Sequence, residues 1–229
     1  MKMSLIAILF LLAGSVCLQA QTGKTYKIKP GERVDYALLK ENGLYQYPQF
    51  ADAQVALKNG TSGTVRMNYN LLLGEMQFVN GNGDTLSLDK ENEVASIVIA
   101  KDTFVFSDGY VQLLDEAQVR FGKKTMLKIA NRQRIGGMGE VSDGSTMYTS
   151  MYSKYGVKDL VPTEALTFYE VSTYFIGDRF NRFKPLNRKS VRAFYARQEK
   201  EVETYLQANP VNFAQEADVL RLMAFLKSL

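Results

Sequence analysis

Between residues 24 and 130, short segments that alternate apolar and polar side chains are separated by turn-forming dipeptides. A period of two places one set of side chains on the buried face of a strand and the other set in water. The dipeptides supply the positive φ angles that tight hairpins require, and they include Asn59-Gly60, Leu73-Gly74, Asn80-Gly81 and Asp108-Gly109. The predicted strands lie at residues 26–28, 53–58, 64–69, 76–79, 85–88, 94–100, 103–106 and 110–114. Strands so closely spaced form an antiparallel β-meander, which folds into a roll, a barrel or a sandwich.

The last third of the chain begins with strand chemistry. Residues 163–176 are rich in Thr, Tyr and Phe, and Gly177-Asp178 then turns the chain into residues 179–184. β-Branched and aromatic residues are typical of strands, and a Gly-containing turn between two such segments is typical of a hairpin. This pattern predicts a late β-hairpin.

Helical periodicity follows the hairpin. Asn187 is the predicted N-cap of one long helix that ends before Asn209-Pro210. Its apolar side chains form one stripe, namely Val191, Phe194, Tyr195, Val202, Tyr205 and Leu206. Asn212 and Gln215 have the spacing of a capping box for a second helix. The predicted fold class is therefore α+β: an antiparallel β-meander with a late β-hairpin and two C-terminal helices.

Four segments are expected along the chain. Residues 1–20 form a signal peptide, and residues 21–130 form the antiparallel β-rich body. Residues 131–160 are rich in Gly, Ser, Met and Tyr without a clear period, which predicts a flexible loop. Residues 161–229 form the β-hairpin and a helical hairpin, packed on the same body.

The first twenty residues have the composition of a bacterial secretory signal. Lys2 precedes an apolar run of residues 5–13, and the segment ends with Ala20, where cleavage is expected. The run is shorter than the roughly 20 apolar residues that span a bilayer, so we expect no transmembrane span after the leader is removed. The predicted location is the periplasm, the outer membrane or the extracellular space. An alternative is lipidation of Cys17, which would anchor the chain in a membrane.

The residue inventory excludes the commonest catalytic chemistries. The chain has no His, and its single cysteine, Cys17, lies inside the leader. Ser-His-Asp and Cys-His catalysis, and zinc sites of the Cys/His type, are therefore excluded from the mature chain. We predict no enzyme, no catalytic residue, no metal and no cofactor. The alternative is a hydrolase of envelope glycans that uses a pair of carboxylates; the candidates are Asp84, Asp89, Glu91, Glu93 and Asp102.

Residues 80–91 can be aligned with a calcium-binding loop. Asn80, Asn82 and Asp84 then occupy the first, third and fifth positions, and Glu91 occupies the twelfth. The sixth position should be glycine and is Thr85. The prediction here is instead a Gly-rich hairpin followed by a strand.

Eight basic residues between positions 179 and 200 form the best candidate for a binding surface. The anion-binding residues predicted from this cluster are Arg179, Arg182, Lys184, Arg188, Lys189 and Arg192. Phe180 and Phe183 alternate with the arginines, and basic and aromatic side chains together can hold an anionic glycan or a lipid headgroup. Nucleic acid is not the expected partner, because the leader directs the chain away from it. The alternative is a solvated rim whose two phenylalanines point into the core.

Two further stretches carry a resemblance. Residues 68–78 with Gly83-Asp84-Thr85-Leu86, and the tail from Lys189 to Leu220, resemble uncharacterised secreted proteins of the Bacteroidota type. The resemblance implies an envelope or exported setting and no known activity. We therefore predict an exported, non-catalytic binding or structural module of the cell envelope. Its expected partner is an unidentified envelope protein or an anionic glycan or lipid.

Overall fold

A computed structural model describes residues 25–31, 43–115, 117–133 and 165–229. In this part of the chain, eleven strands form one sheet and three α-helices follow it. The strands are β1 (Thr25–Ile28), β2 (Ala51–Leu57), β3 (Ser62–Asn70), β4 (Glu75–Val79), β5 (Thr85–Ser87), β6 (Val94–Ile99), β7 (Asp102–Phe106), β8 (Tyr110–Asp115), β9 (Val119–Gln133), β10 (Ala165–Asp178) and β11 (Phe183–Pro185). The helices are α1 (Arg188–Phe194), α2 (Glu199–Ala208) and α3 (Glu216–Lys227).

The sheet consists of two meanders joined by the pairing of β2 with β6, and β1 pairs with β10 at one edge. Its strand order is β1-β10-β9-β8-β7-β6-β2-β3-β4-β5, with β11 paired to β10. Every neighbouring pair is antiparallel. The predicted α+β class, the antiparallel strands and the late hairpin of β10 and β11 are confirmed. The pairing of β2 with β6 joins segments that are not consecutive in the chain, so local patterns did not reveal it.

Among the described elements, strands β9 and β10 are the longest. Their pairing extends from Val119 opposite Asp178 to Gln133 opposite Ala165. Strand β9 therefore continues three residues into the segment that was predicted to be a loop from residue 131. Residues 134–164, the leader and Cys17 lie outside the described residues, and their predictions stay predictions.

The sheet curls so that the turn between β3 and β4 lies beside β9. Strand β8 pairs with β9 only as far as Lys123. Beyond that point, the backbone N–H of Leu127 donates to the carbonyl of Leu71 at 2.9 Å. Four strands separate β3 from β9 in the sheet order, so this bond requires a strongly curved sheet. The curl encloses a first core cluster that includes Met67, Tyr69, Met76, Ile97, Ile99, Phe104, Tyr110, Leu127 and Phe168.

The three helices cover the other end of the long strands. They bury a second core cluster that includes Phe121, Tyr174, Ile176, Leu186, Val191, Val202, Leu206, Val219, Leu222, Met223 and Leu226. Both clusters use side chains of β9 and β10. The two cores therefore share the same two strands, and the late hairpin extends from the end that the helices cover.

The described C-terminal region contains three α-helices, so the prediction of two helices is wrong. Asn187 caps α1 through a capping box with Ser190, as expected for an N-cap. The single predicted helix breaks at the 3₁₀ turn Ala196–Gln198. Helix α1 packs on β10 and α2 packs on α1. One straight helix over the same residues would extend roughly 30 Å and would not make both contacts.

The predicted capping box of the last helix is also wrong. Gln215 occupies the N-cap of α3 without a side-chain cap. The Asn212 side chain instead accepts from the N–H of Ala214 at 3.0 Å, and the Asp218 carboxylate accepts from the N–H of Asn212 at 2.9 Å. A carboxylate from inside the helix thus orders the residues before it. Among the described residues, no helix has the length and apolar character needed to cross a membrane.

Candidate anion-binding surface

The turn between β10 and β11 is ordered by one carboxylate. Oδ1 of Asp178 accepts from the backbone N–H groups of Phe180 at 2.9 Å and Arg182 at 3.1 Å. Oδ2 accepts from Nε of Arg182 at 2.6 Å. This ion pair and these hydrogen bonds hold the pKa of Asp178 below its usual value. We call residues 178–182 the hairpin tip.

Asn181 completes the turn. It has a left-handed backbone with φ of 60°, a conformation that Asn tolerates better than most residues. Its N–H donates to the carbonyl of Asp178 at 3.0 Å. Its side-chain oxygen accepts from the Arg120 guanidinium at 2.5 Å, which ties the tip to β9. The tip is therefore preorganised before any ligand arrives.

Phe180 projects from this tip into solvent. Its side chain is 64% exposed, which is the highest value among the large hydrophobic side chains in the described part of the chain. The guanidinium carbons of Arg179 and Arg182 lie 4.8 and 5.4 Å from the ring centroid, which is cation–π geometry. The alternative in which both phenylalanines point into the core is wrong for Phe180, because the left-handed residue that follows it turns the chain at the tip.

Phe183 has the opposite role. It is half-buried across β10, next to two glycines. A Cβ atom at Gly177 would lie 2.7 Å from the Phe183 ring, and one at Gly122 would lie 3.3 Å from it. The missing side chains thus create the space that lets Phe183 anchor β11 to the sheet. Of the two aromatic residues in the predicted cluster, one is an anchor and the other is presented to solvent.

The six predicted anion-binding residues separate into two groups. Arg188 and Arg192 bind helix α2: Arg188 Nη2 donates to the carbonyl of Leu206 at 2.6 Å, and Arg192 donates to the carboxylate of Glu199. Glu203 lies 3.8 Å from Arg188 and 4.0 Å from Arg192. These two arginines therefore hold α1 and α2 together, and their charges are compensated.

The other four predicted residues form the surface that we call the basic face: Arg179, Arg182, Lys184 and Lys189. All four are exposed. Within the described ranges, Arg179, Lys184 and Lys189 have no carboxylate partner, and Arg182 pairs with Asp178. Four cations and one carboxylate leave a formal charge of +3 on this stretch of turn, strand and helix start. The sequence placed all six cations in one cluster and did not separate these four from Arg188 and Arg192.

The carboxylates of the alternative hydrolase have separate local roles. Asp84 accepts from the Asn80 side chain at 3.1 Å, and Asp102 accepts from the Tyr47 hydroxyl at 2.7 Å. Glu93 pairs with Lys90 at 3.8 Å, and Asp89 accepts from the backbone N–H of Lys90 at 2.8 Å. The pKa of the Glu91 carboxyl is raised, first by burial and then by the nearby charges of Glu75 and Asp89.

The segment aligned with a calcium loop is a hairpin. Strands β4 and β5 pair across it, and Asn80 Oδ1 accepts from the backbone N–H groups of Asn82 at 2.9 Å and Asp84 at 2.8 Å. The side chain that would bind a cation in the alternative thus closes the turn. Across the described parts of the chain, no group of three or more acidic side chains is arranged to hold a metal ion.

The chain matches no protein-family model, no curated protein and no solved structure.

Proposed function

We propose that this protein is an exported, non-catalytic binding module that attaches to anionic groups of the cell envelope through its basic face. The observation that carries the proposal is the preorganised hairpin tip, which presents two guanidinium groups around an exposed aromatic ring. Arginine forms paired hydrogen bonds with phosphate and carboxylate groups, and a rigid site loses little conformational entropy on binding. The curled sheet, which we take to be a roll, is the support for this tip.

Export and the absence of catalysis are part of the same proposal. The leader supports an envelope location, where phosphate- and carboxylate-bearing glycans and lipids are the abundant anions. The lack of histidine, and the local hydrogen bonds and ion pair that engage Asp84, Asp89, Glu93 and Asp102, support binding over hydrolysis. A glycan hydrolase would instead bring two carboxylates to a defined separation of roughly 5 to 9 Å across one substrate site.

Heparin chromatography in a salt gradient tests the basic face. Replacing Arg179, Lys184 and Lys189 with Ser removes three exposed cations that have no ion pair among the described residues. We expect this variant to elute at markedly lower salt than the wild-type protein, because each lost contact removes an electrostatic term that salt screens. Lipopolysaccharide immobilised on beads serves as a second ligand.

A matched variant controls for net charge. Lys58, Lys101 and Lys128 are exposed lysines outside the basic face, and replacing them with Ser removes the same number of charges. The control should keep most of the wild-type retention. Equal elution of the two triple variants would show that only overall charge matters and would overturn the proposal.

A further inference from the structure

The hairpin tip combines features that a lipid interface requires. Phe180 is exposed, two guanidinium groups lie beside its ring, and hydrogen bonds to Asp178 order the turn. We propose that the basic face binds an anionic lipid bilayer, with the Phe180 ring inserted at the interface and Arg179 and Arg182 on the lipid phosphates. This inference rests on the proposed function and names the anionic surface that the site recognises.

The backbone of the tip supports insertion. The N–H groups of Phe180, Asn181 and Arg182 all donate to acceptors on Asp178, within the turn itself. A backbone donor without a partner is costly where water is scarce, so most exposed loops are poorly suited to enter an interface. In this turn three consecutive donors are satisfied before contact with the membrane.

The arrangement of the arginines favours a bilayer over a glycan. A sugar that binds an aromatic residue stacks on the face of the ring, and two guanidinium groups already lie over this ring. Insertion into lipid needs only the exposed edge of the ring. In an inserted tip, the guanidinium groups beside the ring would lie at the level of the headgroup phosphates, where aromatic residues are also favoured. Lys184 and Lys189 add attraction to the negative surface.

The chain contains no tryptophan, so one substitution creates a unique fluorescent reporter. In the Phe180→Trp variant we expect a blue shift of the emission when vesicles of phosphatidylglycerol and phosphatidylcholine are added. Bromine atoms on the acyl chains should quench that emission. Vesicles of phosphatidylcholine alone should produce neither effect, because they lack the negative charge.

A second reporter controls for general effects of vesicles on emission. Leu86 is 42% exposed on β5, at the opposite end of the strand order from β10. In the Leu86→Trp variant the emission should be unchanged by either kind of vesicle. An equal blue shift from both reporters would contradict insertion at the tip.

The Phe180→Ala variant separates this inference from the proposed function. It should lose most of its sedimentation with anionic vesicles and much less of its retention on heparin, because the four cations of the basic face remain. Vesicle binding without a shift in the F180W emission would mean electrostatic adsorption only, and would overturn insertion alone. Heparin retention without vesicle binding would identify a glycan as the ligand and would also overturn it. Failure to bind heparin, lipopolysaccharide and vesicles would overturn both proposals.

Discussion

At the scale of single residues, Asp178 decides both the shape and the charge of the hairpin tip. Its carboxylate accepts from two backbone N–H groups and pairs with Arg182. Because the pKa of this carboxyl is lowered, the stabilisation it provides is fully present above the ordinary carboxyl pKa. That stabilisation is lost only as the pH falls through the lowered value. The same charge that orders the tip also offsets one of its cations.

The Asp178→Asn substitution tests this double role. The amide oxygen can still accept from the backbone N–H groups of Phe180 and Arg182, but the negative charge is gone. We expect elution from heparin at higher salt than the wild-type protein, because Arg182 is released and the basic face gains one net positive charge. The measurement is the elution position in the salt gradient at neutral pH.

The Asp178→Ala variant is the matched comparison. It removes the same charge and also the acceptor, so the tip loses its cap. Its elution salt on heparin should rise less than that of the Asp178→Asn variant. If the Asn variant elutes at or below the wild-type position, Asp178 does not limit the charge of the basic face.

At the scale of elements, two glycines let β11 pack closely against β9 and β10. A Cβ atom at Gly122 would lie 2.3 Å from Cγ1 of Val111 on the neighbouring strand β8. No side chain fits there without movement of the strand or its neighbour, since side chains in folded proteins are already closely packed. The same position adjoins Phe183, which anchors β11. The register of β11 and the position of the hairpin tip therefore depend on the close packing of Val111 and Phe183 around Gly122.

The Gly122→Ala substitution should lower the free energy of unfolding by about 1 to 3 kcal/mol, as overpacking of a core does. For a chain of this size each kcal/mol corresponds to roughly 2 to 4 °C in Tm. The double variant Val111→Ala with Gly122→Ala should recover part of the loss, because it removes the clashing methyl group. Thermal unfolding monitored by circular dichroism measures the Tm of each single variant and of the double variant. Strictly additive effects of the two changes would rule out this contact as the cause.

At the scale of the whole molecule, one sheet supports two apolar cores. Phe121 and Leu127 lie on the same strand, β9, yet Phe121 belongs to the second cluster and Leu127 to the first. On β10, Ile176 and Phe168 are divided in the same way. Because the two cores share their longest strands, neither can lose its support without disturbing the other. We therefore expect the described parts of the chain to unfold together.

Two core substitutions test this coupling. Met76→Ala in the first cluster and Leu222→Ala in the second each remove a fully buried side chain. Each should cost about 2 to 5 kcal/mol and should move a single unfolding midpoint. Urea unfolding should give coincident curves by circular dichroism and by the fluorescence of the F180W variant. Two separate transitions, with only one shifted by each substitution, would show two independent units.

The local elements followed from the sequence because their causes lie within a few residues. Alternation of apolar and polar side chains set the faces of the strands, and Asn-Gly and Asp-Gly pairs set the turns. Asn187 marked the start of α1 for the same reason, since a cap needs only the next three residues. The grouping of basic residues after residue 178 was equally visible.

The tertiary structure decided which distant segments of the chain pair and pack with one another. The pairing of β2 with β6 and the curl that brings Leu71 to Leu127 arise from packing, which no short window contains. The same holds for the break between α1 and α2, which lets both helices reach their partners. At the site, spacing predicted six equivalent cations, but contacts with α2 engaged Arg188 and Arg192 and left the other four on the basic face. The sequence by itself thus determined which residues lie near one another along the chain. Only the folded structure decided which charges are compensated and that Phe183 is held against the sheet, because the carboxylates of α2 and the space beside Gly122 come from other elements.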